Sequence, residues 1–197
     1  MNNTPLLEVK NLYMHYQITD HEIVKAVSDV SFTMYEGETF GFVGESGCGK
    51  SATCRSLLRL IKPPGKILSG EILYKGQDLL KLSPRAMQQF RGRQMSMIFQ
   101  EPMTALNPVM KIRDQITDAL YFLKRKKAED TDYAVDLLKR VGIPLPNVRI
   151  KDYPHQFSGG MRQRAMIAAA LGPRPGLLLA DEPTTALDVT IQAQLVE

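Results

Sequence analysis

Cysteine is nearly absent from this 197-residue sequence, which holds two, Cys48 and Cys54. Two cysteines cannot make a zinc site alone, and this spacing is not a metal-binding pattern. Both read as reduced thiols of a cytosolic chain. No apolar run is long enough to span a bilayer. The N-terminal stretch from Met1 to Glu8 lacks the basic region and apolar core of a secretory signal. There is no internal repeat and no low-complexity tract. The net charge of +4 is mild, and no dense basic stripe argues for nucleic acid. The densest basic run, Lys124 to Lys127, is expected at the end of a helix, where solvation and the helix dipole account for it. What remains is a soluble globular balance, 44% apolar and 23% charged. The length suits one ordinary domain, with or without a small subdomain, and a sizeable core.

The stretch that organises the rest runs from Thr39 to Ser51. The apolar run Phe40 to Val43 reads as a buried strand. It leads into Gly44-x-x-x-x-Gly49-Lys50-Ser51. Leu57, Leu58, Leu60 and Ile61 then follow a helical pattern. Strand, glycine-rich loop and helix form the context a P-loop needs. Glycines let backbone amides converge on a phosphate chain, and a helix N-terminus adds partial positive charge. Lys50 is placed to reach the β- and γ-phosphates, and the Ser51 hydroxyl to ligate Mg²⁺. Cys48 lies in this loop, at a helix N-terminus facing anions, where a thiol is activated and nucleotide would shield it.

Around this anchor, residues 6 to 16 alternate loosely and read as a strand. Residues 23 to 35 read as one or two more, with Glu36, Gly37 and Glu38 as a turn. Residues 70 to 76 make a further strand bounded by glycines. These pieces predict an antiparallel sheet beside the phosphate-binding core. Residues 83 to 94 read as a polar helix opening at Ser83-Pro84, and Met95 to Phe99 as a core strand ending at Gln100. Beyond it the period changes. Ile112, Ile116, Ala119, Leu120 and Leu123 trace one amphipathic helix; Ala134, Leu137, Leu138 and Val141 trace another, stopped by Gly142. Ser158 caps a helix through Leu171. Leu177 to Asp181 is an apolar run ending in acid, the form of a buried parallel strand. A last helix is expected over 189 to 197.

Acidic groups at the carboxyl end of such a strand lie where ligands bind. Asp181 is therefore expected to hold Mg²⁺ beside Ser51, and Glu182 to polarise an attacking water.

Five motifs occur in order: Gly44 to Ser51; Gln100; Phe157 to Gln163, with Ser158-Gly159-Gly160 within it; Asp181-Glu182; and Thr185 to Asp188. Together they resemble the nucleotide-binding subunits of ABC transporters over nearly the whole chain. The stretches Ile98 to Pro108, Tyr153 to Arg164 and Asp181 to Gln194 look closer still to the ATP-binding subunits of dipeptide, oligopeptide and nickel importers. The resemblance implies an α/β fold: a RecA-like P-loop NTPase core, an antiparallel β subdomain and a helical subdomain inserted after the glutamine. In residues, these would be 39–65, 81–104 and 158–197 for the core, 1–38 and 66–80 for the β subdomain, and 105–157 for the helical one.

It also implies roles. ATP would be held by Gly44, Glu45, Ser46, Gly47, Cys48, Gly49, Lys50, Ser51 and Ala52. Tyr16 matches the aromatic that stacks on adenine, its alternative being a core aromatic of a strand. Ser158, Gly159 and Gly160 match the signature that meets the γ-phosphate bound by the opposite subunit. Asp188 matches the loop that bridges two subunits. Glu182, Lys50 and Gln100 would carry catalysis, with Mg²⁺ on Ser51, Gln100 and Asp181. Implied partners are a second ATP-binding subunit, like or unlike, transmembrane permease subunits, and indirectly an extracytoplasmic solute-binding protein, with no direct nucleic acid. The place would be the cytoplasmic face of the inner membrane, peripherally. Peptide is the first cargo implied and nickel or another small solute the second.

Three departures stand out. Phe157 and Met161 differ from many members but resemble the importer subgroup. Cys48 replaces a common serine whose backbone does the binding. The family also carries a switch histidine beyond a further strand, and His15, His21 and His155 fit that role in neither position nor context. The sequence is thus expected to be an incomplete cassette, less stable than a full domain and a poor ATPase alone. A soluble ABC-type ATPase acting on nucleic acid or ribosomes, and a fragment that binds ATP without turnover, stay open.

Overall fold

In the computed structural model, residues 4–120 and 127–183 are described. The chain divides into two compact units, Met1–Gln88 and Gln89–Glu197.

The first unit is built on an antiparallel sheet of order β2-β1-β3-β4. Its strands are β1 (Leu7–Gln17), β2 (Ile23–Met34), β3 (Gly65–Tyr74) and β4 (Gln77–Asp78). The loose alternation of β1 has a physical cause. Asn11 adopts φ 46, and the register slips between Val9 and Leu12. The bulge restores the inward phase, so Leu7, Val9, Leu12 and Met14 are all buried. Asn11 Nδ2 donates to Asp29 Oδ1 at 2.8 Å, holding the bulge against β2. Between β2 and β3 lies α1 (Lys50–Leu57), which buries Cys54 and Leu57. A short 3₁₀ turn, Leu79–Lys81, follows β4. Asp78 caps it, its side chain accepting from Leu80 N–H.

Helix α2 (Pro84–Phe90) carries the chain out of this unit. In the second unit β5 (Met95–Ile98) pairs in parallel with β6 (Leu177–Ala180), from Met95 opposite Leu177 to Ile98 opposite Ala180. A parallel pair needs a long crossover. Here it holds α3 (Pro102–Ala105), α4 (Ile112–Ala119), α5 (Lys127–Arg140), α6 (Pro146–Arg149), a 3₁₀ turn at Pro154–Gln156 and α7 (Gly159–Leu171). The two apolar stripes expected from the 3.6-residue period meet in one core. Ile112, Ile116, Leu120, Ala134, Leu137, Leu138 and Val141 pack there with Phe157, Met166 and Ile167. Each such leucine or isoleucine contributes roughly 1.5–3 kcal/mol on burial. Gly142 ends α5 with φ 71, a backbone geometry that a Cβ resists.

Several expectations are corrected. Residues 40 to 43 form no strand. Val43 is 99% and Phe40 42% exposed. A buried strand needs hydrogen-bonded neighbours on its edges, and among the described residues none pairs with this segment. Its aromatics instead cluster on β2, with the rings of Phe40 and Phe42 at 5.1 and 5.2 Å from that of Phe32. The strand expected at 70 to 76 starts earlier, at Gly65, because it pairs along β1 as far as Tyr16. Helix α2 stops at Phe90, short of 94. Lys127 opens α5 rather than closing the preceding helix. Leu123, Lys124, Arg125 and Lys126, and the helix expected over 189–197, lie outside the described residues.

Candidate functional site

In the first unit, the loop from Gly44 to Gly49 turns the chain into α1. Gly47 and Gly49 have φ 81 and φ 96. Gly49 also lies against β2. A Cβ there would stand 2.2 Å from Ala26 O, so glycine is required for both conformation and room. Cys48 N–H donates to Glu45 O at 3.3 Å, closing the loop. Gly49 precedes α1 without a side-chain cap, the form of helix N-terminus that suits an anion. Lys50 Nζ donates to Gly44 O at 2.7 Å and Glu45 O at 2.8 Å. The ammonium thus folds over the mouth of its own loop, on carbonyls it can exchange for a phosphate. Ser51 and Ala52 follow Lys50 in the first turn of the helix, and Thr53 Oγ1 donates to Gly49 O at 2.9 Å. Cys48 is exposed and Cys54 buried. Tyr16 is half-buried at the end of β1, opposite Gly65. A Cβ on Gly65 would come within 2.8 Å of its ring, so the tyrosine packs on the β3 backbone.

In the second unit, Gln100 leaves β5 and Asp181 and Glu182 leave β6 side by side. Asp181 N–H donates to Ile98 O at 3.0 Å, the last rung of the ladder. Its side chain is buried, the residue only 4% exposed. The chain then turns through Glu182 at φ 49. That turn lifts the Glu182 side chain to the surface, where Gln100 Nε2 donates to its Oε2 at 2.7 Å. Two residues that sequence reasoning singled out separately, 82 apart in the chain, meet in one contact.

Ser158 caps α7, its hydroxyl accepting from Met161 N–H at 3.3 Å. Phe157, 2% exposed, anchors that end in the core. Ser158 and Gly159 are exposed and Gly160 half-buried. The helix presents a capped N-terminus whose first two residues, Gly159 and Gly160, carry no side chain to block approach. Asp188 and residues 184 to 187 lie outside the described residues.

One residue that the sequence reading names only as the end of a motif, with no role, is Gln163. It is fully buried on α7, and its Nε2 donates to Pro183 O at 2.7 Å. The signal was available. Gln163 shares a helical face with Met166, Ile167 and Ala170, all buried. An amide on an apolar stripe demands a partner.

Residues 27–185 match the ABC transporter family. The oligopeptide transport ATP-binding protein OppD of Bacillus subtilis (strain 168) is 53% identical over 196 residues, covering 98% of this chain and 54% of the relative. The dipeptide transport ATP-binding protein DppD of the same organism is 53% identical over 195 residues, 98% of this chain and 58% of the relative. The chain therefore spans little more than half the length of these relatives. Among solved structures, the dimeric structure of MJ0796, a bacterial ABC transporter cassette, is 28% identical with a TM-score of 0.86, covering 96% of this chain and 79% of that one. The same figures hold for a post-hydrolysis state of that ATP-binding cassette bound to ADP and Pi.

Proposed function

Because the chain belongs to the ABC transporter family, we propose that it is part of the ATP-binding subunit of a peptide importer, which couples ATP binding and hydrolysis to uptake through membrane partners. The names of the relatives at 53% identity support the peptide assignment. The observation that carries the catalytic reading is the hydrogen bond from Gln100 to Glu182 at the end of the parallel strand pair. It orients an exposed carboxylate, the kind of group that serves as a water-activating base.

The residues present suit ATP and Mg²⁺. The uncapped α1 amides, the glycines of the loop and the Lys50 ammonium match a triphosphate. The Ser51 hydroxyl, the Gln100 amide oxygen and the Asp181 carboxylate are the hard oxygen donors that Mg²⁺ takes. When bound, Mg²⁺ would neutralise charge on the transferring phosphoryl group. The loop amides orient the phosphates, and Lys50 exchanges its two carbonyls for phosphate oxygens. Glu182 accepts a proton from the attacking water while Gln100 holds it in place. In a head-to-tail dimer, Ser158, Gly159 and Gly160 would meet the nucleotide of the opposite subunit and Asp188 would bridge the two. Tyr16 would stack on adenine, and the helical segment 105–157 would dock on the permease. No described helix is long and apolar enough to cross a membrane. Transmembrane partners would hold the subunit peripherally on the cytoplasmic face.

The test is Mg-ATP binding and phosphate release in the assembled transporter. Lys50→Ala should lose nucleotide binding. Glu182→Gln should bind ATP and cease turnover. Wild-type phosphate release by both variants would sink the reading. Loss of peptide uptake in cells carrying Glu182→Gln tests the cargo, and unchanged peptide uptake would point to another solute.

A further inference from the structure

Three consecutive side chains of α7 reach in different directions. Arg162 Nε donates to Pro154 O at 2.7 Å, and Arg164 Nη1 to Gly142 O at 2.6 Å. These tie the helix to turns of its own helical surroundings. Gln163 does something else: its Nε2 donates to Pro183 O at 2.7 Å, immediately after Glu182. The residue is 0% exposed, and among the described residues its buried Oε1 has no hydrogen-bond partner. A half-satisfied buried amide is costly. An apolar side chain of the same length would pack on this face without that cost, so packing alone does not account for an amide here.

The segment it holds is short and conformationally demanding. Asp181 is pinned to Ile98 by the strand ladder. Glu182 takes φ 49, a left-handed backbone that side chains resist. Such a conformation persists when both flanks are fixed. The ladder fixes one flank and Gln163 the other. Between them the Glu182 carboxylate is aimed at Gln100.

We propose that Gln163 is a positioning residue for Glu182. Its buried amide clamps the Pro183 carbonyl, holds the left-handed turn and presents the carboxylate to the attacking water. The helix that begins at Ser158 is thereby linked to the carboxylate of its own chain. This inference rests on the reading of Glu182 as the water-activating base.

Steady-state ATP hydrolysis by the assembled transporter tests it. Gln163→Met keeps length and loses the donor. It should lower kcat by about tenfold or more while KM for ATP stays within about twofold, since the lost interaction serves the chemical step. Gln163→Glu adds a pH signature. A buried carboxyl has a raised pKa; protonated, its O–H can donate to Pro183 O, and ionised it cannot. Its rate relative to wild type should therefore recover as pH falls from about 8 to about 6, while Gln163→Met shows no such recovery. If Gln163→Met does not fold, the Gln163→Glu profile decides, and a ratio that stays flat with pH refutes the clamp. A kcat for Gln163→Met within twofold of wild type also refutes it. Glu182→Gln separates the two levels. An inert Glu182→Gln beside a wild-type Gln163→Met overturns the clamp alone. A fully active Glu182→Gln overturns the role of Glu182 and the inference with it.

Discussion

Replacing Gly49 by alanine tests the P-loop geometry most directly. At φ 96 any side chain is strained, by about 1–2 kcal/mol for a left-handed backbone. The added Cβ would also stand 2.2 Å from Ala26 O, where contacts below 3.0 Å do not persist. Either the loop or β2 must retreat by about 1 Å. Strand β2 is held along its length by pairing with β1, so the loop is the part that yields. A hydrogen bond to phosphate does not survive such a shift, because donor and acceptor must stay within roughly 2.7–3.2 Å. Gly49→Ala should therefore weaken Mg-ATP binding at least about tenfold, equivalent to 1.4 kcal/mol, and lower unfolding stability by about 1–3 kcal/mol. Gly37→Ala is the control. Gly37 has φ 81 with open space around its Cβ position. It carries the strain alone, so it should cost about 1 kcal/mol and leave ATP binding unchanged. Isothermal titration with Mg-ATP and urea unfolding read both quantities. Binding by Gly49→Ala within twofold of wild type would refute the argument.

Other outcomes follow from the same structure. Leu138 is 0% exposed at the centre of the helical core; Leu138→Ala should cost about 2–5 kcal/mol in urea unfolding, and a loss under 1 kcal/mol would show that the core repacks freely. Burial pushes the Asp78 carboxyl up, but the Lys81 ammonium and the Leu80 amide outweigh it and hold it below the usual range. Its stabilising contribution is thus present above the unfolded value of about 3.9 and is lost as pH falls through the lower folded value. Asp78→Asn should be less stable than wild type near neutrality, with the gap closing below about pH 4; a gap constant with pH would contradict this. Cys48 is exposed in the loop while Cys54 is buried, so alkylation should modify Cys48 first and ATP should slow it. Equal rates with and without ATP would place the thiol outside the nucleotide's cover.

Much of this was legible in short stretches. The glycines of the loop, the Ser158 cap and the Gly142 stop are local devices, and each stands where its residue type predicts. The periodic stripes Ile112 to Leu120 and Ala134 to Val141 mark core faces that the structure brings together. The apolar runs 95–98 and 177–180 read as core strands and pair as such. The failure at Phe40 to Val43 is instructive. Its composition suits a buried strand, yet composition does not supply the neighbours that make a strand buried. Gln163 was missed for the complementary reason. Its helical face was readable, but nothing near it in the chain names Pro183 as its partner, 20 residues on.

The sequence by itself determined the chemistry available and the local backbone: which loop can take phosphate, which helices carry apolar stripes, which acids end a strand. Those properties follow from side-chain type, period and allowed φ, all set within a few residues. The tertiary structure decided the strand order β2-β1-β3-β4, the exposure of Val43, the contact of Gln100 with Glu182 and the clamp of Gln163 on Pro183. Each of these depends on which distant segment fills the space beside a residue. Burial and pairing belong to that shared space, so they take their values only when the chain has closed on itself.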